Sequence, residues 1–253
     1  MKTYLLEEMT WPEIREAMET GYRTVIIAAA SIEQHGPHLA LLTDSAIGQA
    51  SAVDLAKRLG NALVAPVIRP GLSSHHLSLP GTLSLRPEVF TGLVEDYVIS
   101  YVKHGFENII LFSSHGGNFD ALEKMAADLQ EKYPQVRIVT GISLDAFMQL
   151  LAKIEKNEGV LSGTCGGHAC DFETSVMLFL HDTHVRMEKA QQGYVGKPSP
   201  QVLDRFFKEG VTAVSPIGVM GDPSGADVNR GRRYFEELQK LLTETVSAKL
   251  DTM

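Results

Sequence analysis

Four short apolar runs alternate with helix-length segments along this chain, and that alternation constrains the fold more than any other feature. The runs cover 25–30 (VIIAAA), 62–70 (ALVAPVIRP), 107–118 (ENIILFSSHGGN) and 136–143 (VRIVTGIS). Each is apolar on successive residues instead of alternate ones, as a strand buried on both faces must be. Between them lie helical patterns at 10–20, 44–59, 87–104 and 119–132. Thr10 reads as an N-cap, Pro12 lies in a first turn, and Asp44 stands near a helix start. Strand, helix, strand in this rhythm predicts an α/β fold with a mainly parallel sheet. From about 145 the rhythm loosens. The segment 172–180 (FETSVMLFL) suits helix or strand, 193–200 and 209–227 read as polar loops, and 230–249 is an amphipathic helix. No linker, repeat or low-complexity tract divides residues 1–253, which predicts one domain.

Ligands in open parallel sheets sit at the carboxyl ends of the strands. After the first run come Glu33, His35, His38 and Asp44. After the second come Ser73, His75 and His76, and after the third Ser114, His115, Gly116, Gly117 and Asn118. Later come His168, Cys170 and Glu173. Six of the nine histidines fall in these segments, while His104, His181 and His184 lack carboxylate company and read as structural or solvated. Imidazole and carboxylate together, without thiolate, suit Zn²⁺, Mn²⁺ or Fe²⁺ with open coordination positions. Glu33 and His35 are two apart, so an extended segment points both to one side. Asp44 could bridge two ions, and two ions can hold a hydroxide and polarise a carbonyl. Taken singly the signals are weak. Glu-x-His is a common pair, and an HGGN turn is equally a tight connection or an anion-binding helix start. The fingerprint glycines and the Walker lysine of nucleotide sites are absent.

Composition removes other classes. The chain is 44% hydrophobic and 21% charged, which excludes disorder and coiled coil. A net charge of -8 leaves no basic footprint for nucleic acid. No apolar stretch is long enough to span a membrane, and residues 1–22 lack a signal-peptide pattern. Cys165 and Cys170 are too few and too close for a disulfide framework, which predicts a reducing, cytoplasmic setting.

The string S-I-E-Q-H-G-P-H-L-A-L-L-T-D (31–44) resembles the first signature of the creatininase (creatinine amidohydrolase) family. Gly71-x-Ser73-x-x-His76 ending in Leu79-Pro80-Gly81-Thr82 resembles a second segment, and Ser114-His115-Gly116-Gly117-Asn118 a third. Gly167-His168-Ala169 with Glu173-Thr174-Ser175 resembles a fourth, and Gly218 to Pro223 a late Gly-Asp-Pro loop. The resemblance implies a three-layer αβα sandwich and a binuclear hydrolase of non-peptide C–N bonds in a small molecule, such as a cyclic amide, lactam or formamide. It implies that Glu33, Asp44 and His115 hold one ion and that His35, Asp44 and Glu173 hold the second. His168 and Glu173 would be catalytic, with His168 donating a proton or orienting substrate. Ser73, His76, Gly116, Gly117, Asn118 and His168 would bind substrate, in a homo-oligomer, commonly a hexamer. Creatininase proper carries a metal-binding Glu where this chain has Gly117, which argues against creatinine itself. Cys170, His75 and Leu79 are further departures, Cys170 a buried filler or a pocket-narrowing group, His75 a polar contact or a solvated ring. Two other readings are a metal-dependent hydrolase of a cyclic polyol ketone, cleaving a C–C bond, and a non-catalytic metal-binding family member.

Overall fold

The computed structural model of the chain describes residues 2–196 and 199–252. Its centre is a four-stranded sheet of β1 (Thr24–Ala29), β2 (Ala62–Val64), β3 (Asn108–Ser113) and β4 (Arg137–Thr140) in the order β2-β1-β3-β4. All three pairings are parallel. Before β1 comes α1 (Trp11–Glu19); parallel neighbours need crossovers, and α2 (Thr43–Leu59), α3 (Pro87–His104) and α4 (Phe119–Lys132) supply them. Then follow α5 (Leu144–Glu158), α6 (Asp171–His181), α7 (Pro200–Glu209) and α8 (Val228–Asp251).

Alternate strand residues feed two separate cores, because successive side chains leave a strand on opposite faces. Ile26, Ala28, Ile110, Phe112 and Val139 pack with α2, α5, α6 and α8. Val25, Ile27, Ile109, Leu111 and Ile138 pack with α1, α3 and α4. Helices on both faces of one sheet make the αβα sandwich that the sequence implies. Every residue of β1 is buried, and this explains the unbroken apolar run.

Local chemistry sets the helix ends. The Thr10 backbone N–H and hydroxyl both donate to Glu13 Oε2 at 2.7 Å, capping α1. α2 and α3 stop at Gly60 and Gly105, whose φ values of 77° and 87° lie where glycine carries no Cβ penalty. β2 is shorter than its apolar run, since Pro66 and Pro70 lack the N–H a ladder requires. Ile68 still continues the pairing: its N–H donates to Ala28 O at 3.0 Å and its carbonyl accepts from Ala30 at 2.8 Å.

The segment at 172–180 resolves as helix α6. α5 and α7 fall where the pattern weakens, and α7 starts inside the predicted 193–200 loop, of which residues 197 and 198 lie outside the described residues. Among the described residues no helix is long and apolar enough to cross a membrane.

Candidate metal centre

The register of the sheet brings the polar segments together. β1 and β3 run level from Thr24↔Asn108 to Ala29↔Ser113, so the chain leaves both strands at one rim. The Asn118 amide ties three strand ends there. It donates to Ala30 O at 3.0 Å and accepts from the Leu72 N–H at 3.0 Å, at the head of α4. Both polar atoms of Asn118 thus serve backbone. Ser113 Oγ donates to Ala29 O and accepts from the His115 N–H at 2.9 Å, while Ser114 Oγ donates to Asp44 O at 2.8 Å.

Three carboxylates and four imidazoles converge inside this rim, all buried: Glu33, Asp44, Glu173, His35, His76, His115 and His168. His35 Nε2 lies 3.3 Å from Asp44 Oδ1 and 3.7 Å from Glu173 Oε1. His115 Nδ1 lies 3.3 Å from Glu33 Oε1 and 3.4 Å from Asp44 Oδ2. His76 Nε2 and His168 Nδ1 lie 3.4 and 3.5 Å from the same Glu33 oxygen. The five predicted ligands therefore meet, with Asp44 between two imidazoles. Three overlapping donor groups have ligand atoms within 4.8 Å of one another: Glu33-His35-Asp44, His35-His168-Glu173 and Glu33-His76-His168.

Hydrogen bonds behind the rings decide what each presents. His35 Nδ1 donates to its neighbour carbonyl Glu33 O at 3.1 Å, which turns Nε2 toward the carboxylates. His115 Nε2 donates to Leu72 O at 3.1 Å, which turns Nδ1 inward. Both inward nitrogens are placed to take a proton or a cation. His76 is wired the other way. Its Nδ1 accepts from the Gln34 amide nitrogen at 2.8 Å, so Nε2–H points at Glu33. His168 Nε2 lies 2.8 Å from that amide nitrogen and 2.8 Å from Gln34 O. A carbonyl can only accept, so Nε2 carries the proton and a bare Nδ1 faces the cluster. The Ala169 N–H donates to Glu173 Oε2, reached through a φ of 52° at Ala169. A non-glycine residue in that region is strained, by about 1–2 kcal/mol.

The electrostatics show a cluster short of positive charge. Burial alone would raise the Glu33 carboxyl, but His115, His76 and His168 together outweigh it and hold it well below the usual range. Burial would likewise depress His35, yet Asp44 and Glu173 carry it well above normal, and Glu33 with Asp44 does the same for His115. Burial raises Glu173, only partly opposed by His35. Burial, with His35 beside it, pushes His168 down to about 3, and burial depresses His76 also. Glu33 Oε1, His35 Nε2 and Asp44 Oδ2 are buried with no hydrogen-bond partner. Buried polar atoms are otherwise almost always paired, so three facing orphans fit bound cations.

The departures also find their places. A Cβ at Gly117 would meet Leu72 O at 2.2 Å and His115 Nε2 at 2.6 Å, so this backbone admits no side chain there. The third carboxylate comes instead from Glu173 on α6. His75 is buried, not solvated; its ring stacks on His115 at 5.9 Å and meets Phe206 of α7 at 4.9 Å. Cys170 is fully buried, and a Cβ at Gly221 would lie 2.6 Å from its own Cβ. Among the predicted non-ligands, His104 and His181 are exposed. Sequence reasoning missed Gln34 and Ser31. In a straight strand Gln34 would face away from Glu33 and His35, but here the chain turns and its amide reaches back to His76 and His168. Ser31 Oγ lies 2.5 Å from Ser73 Oγ and donates to Glu33 Oε2 at 3.2 Å.

A parallel sheet with this buried donor cluster at its carboxyl rim defines an α/β protein with a candidate metal centre at the usual ligand edge of such sheets. Residues 7–246 match the family described as Creatininase, creatinine amidohydrolase, and the chain belongs to that family. It is 33% identical over 239 residues to a mycofactocin precursor peptide peptidase of Mycobacterium ulcerans (strain Agy99), covering 90% of this chain and 82% of the relative. It is 29% identical over 199 residues to a creatinine amidohydrolase of Pseudomonas putida, covering 74% and 76%. A creatininase mutant of the Zn-Zn type superimposes with a TM-score of 0.80 at 23% identity, covering 98% of this chain and 99% of the other.

Proposed function

We propose that this chain is a binuclear metal-dependent amidohydrolase that cleaves a C–N bond of a small molecule. The observation that carries the reading is the set of three buried carboxylates converging on inward-facing nitrogens of His35 and His115. Alone, these anions draw protons onto His35 and His115, whose pKa values they raise; divalent cations would supply that positive charge in place of the protons. Two divalent cations leave a single net positive charge, which suits a reaction that develops an oxyanion. Glu33, Asp44 and His115 would hold one, and His35, Asp44 and Glu173 the other. Zn²⁺, Mn²⁺ and Fe²⁺ all suit these donors, and zinc is the metal named for the similar creatininase. Bound there, such ions supply an acidified water and a polarised carbonyl.

The chain's own groups do the rest. His168, held neutral by burial, presents Nδ1 to receive the proton of the attacking water and returns it to the leaving nitrogen. Gln34 fixes that ring from behind. His76 steadies the Glu33 carboxylate through Nε2–H. The N–H groups of Gly116 and Gly117, at the head of α4, support an oxyanion or anionic substrate group. A cyclic amide, lactam or formamide fits this chemistry. The amide of a short peptide is the second reading, favoured by the 33% identity to a peptide peptidase. A single hydrolase domain, a cytoplasmic setting and a hexameric homo-oligomer belong to the same proposal.

Elemental analysis and a panel of lactams, formamides and short peptide amides test it. Two metal equivalents per chain are expected, with Glu173→Ala losing about one. His168→Ala should keep both and lose roughly 10²–10⁴-fold in turnover. One equivalent in the parent, or full turnover in His168→Ala, overturns the assignments.

A further inference from the structure

A cavity of about 70 Å³ opens beside Glu173, on the sheet face covered by α5, α6 and α8. Glu173, Gly116 and Gly167 line it where it adjoins the donor cluster. Elsewhere its walls are largely apolar, with Phe119, Phe147 and Phe172 prominent. Phe147 stacks on Phe119 at 6.3 Å and meets Phe172 edge-on at 5.5 Å, so the rings brace one another. The serines on the lining have their hydroxyls engaged within the fold. Ser113 and Ser114 donate to backbone carbonyls, and Ser51 accepts from Gln239.

Size and chemistry together name an occupant. One water needs about 10–15 Å³ by this kind of measure, so the space holds roughly five water-sized atoms. That equals one branched or ring side chain and excludes anything much larger. Water itself finds few partners against such walls. An apolar void destabilises a core in proportion to its volume, so one kept beside a reactive centre calls for a ligand group. At its Gly116 edge the cavity borders the surface, since Gly116 is exposed and a Cβ there would meet nothing within 4 Å.

We propose that this cavity is a specificity pocket for one apolar side chain, isobutyl- to benzyl-sized, attached next to the carbonyl of the scissile amide. The substrate class is then an amide of a hydrophobic acid, which includes peptides with such a residue at the cleaved bond. This rests on the two-cation reading above, and the test separates the two.

Metal-loaded protein is titrated calorimetrically with acetohydroxamate, isovalerohydroxamate and phenylacetohydroxamate. The two larger ligands should bind at least about tenfold tighter than the first, at ~0.8 kcal/mol per buried CH₂. Filling the cavity with Leu144→Trp, or with Ile142→Phe where the first variant folds poorly, should bring that ratio near one. Equal affinities in the parent, or a preference that survives filling, overturn the pocket. Absence of any hydroxamate binding overturns the two-cation reading instead. In that case benzene, followed by saturation-transfer NMR on the protein as purified, decides the pocket: binding that the filling variants abolish supports it, and no binding ends it.

Discussion

The division of labour among the histidines is set one hydrogen bond at a time. His35 and His115 are ligand-like because a carbonyl behind each ring takes the outer N–H. His76, in the same cluster, is held in the opposite tautomer by Gln34. The residue type is legible in the sequence; the tautomer depends on a partner brought in by the fold. His38 shows the same dependence. Its Nε2 bonds Thr174 Oγ1 at 2.8 Å beside Glu173, and burial, with His35 nearby, lowers its pKa to about 4. The unfolded value is 6.5. The folded state thus resists a proton that the unfolded state accepts. Stability from this group is complete above pH 6.5 and is lost as pH falls from 6.5 toward 4. His38→Gln removes that loss. In thermal melts with chelator throughout, the variant should gain on the parent by up to about 1.4 kcal/mol per pH unit across that window. A difference that does not change with pH refutes the role.

At the scale of elements, α6 and α8 hold Glu173 in place. Tyr234 of α8 donates its hydroxyl to Asp171 Oδ2 at 2.8 Å, and Arg230 reaches Asp171 Oδ1 at 3.3 Å, both in the first turn of α6. The helices touch backbone to backbone at Gly231, where a Cβ would lie 1.8 Å from Ser175 O. Gly231→Ala must push the two apart. Overpacking typically costs about 1–3 kcal/mol, and a carbonyl cannot rotate away as a side chain can, so about 3 kcal/mol is expected in urea unfolding. Metal content should fall with it. A near-neutral change would show that α6 is anchored elsewhere. The segment at 172–180 reads as helix or strand because its apolar residues show no clear period, and residues 172–177 are in fact buried on every side, the polar Glu173, Thr174 and Ser175 included. Only its position between α2 and α8 decides in favour of helix. α5 and α7 do carry apolar stripes, Leu150, Leu151 and Ile154 in α5 and the half-buried Val202 and Phe206 in α7, but neither helix connects two strands of the sheet, so the strand-helix alternation does not pick them out.

For the molecule as a whole, the centre is expected to be part of what holds the fold together. Three buried carboxylates, Glu33 and Asp44 from the segment after β1 and Glu173 from distant α6, repel one another unless positive charge lies between them. Ligand binding to the native state alone adds about 4 kcal/mol at a thousandfold excess over Kd. Chelation should therefore lower the melting temperature by roughly 10 °C, and added Zn²⁺ or Mn²⁺ should restore it. An unchanged melting temperature after verified metal removal would mean that the cluster is balanced by its own imidazoles.

The alternation of strands with helices, the parallel sheet covered on both faces and the gathering of imidazoles and carboxylates past the strand ends all follow from patterns local to the chain, while the order β2-β1-β3-β4 does not. Local patterns suffice there because period and burial act over a few residues. The tertiary structure alone decided that Gln34 turns back into the cluster, that Asn118 serves as a strap, that Gly117 admits no side chain, and that a cavity lies beside Glu173. Each of these depends on contacts between segments separated by tens to more than a hundred residues, where spacing along the chain says nothing about distance in space.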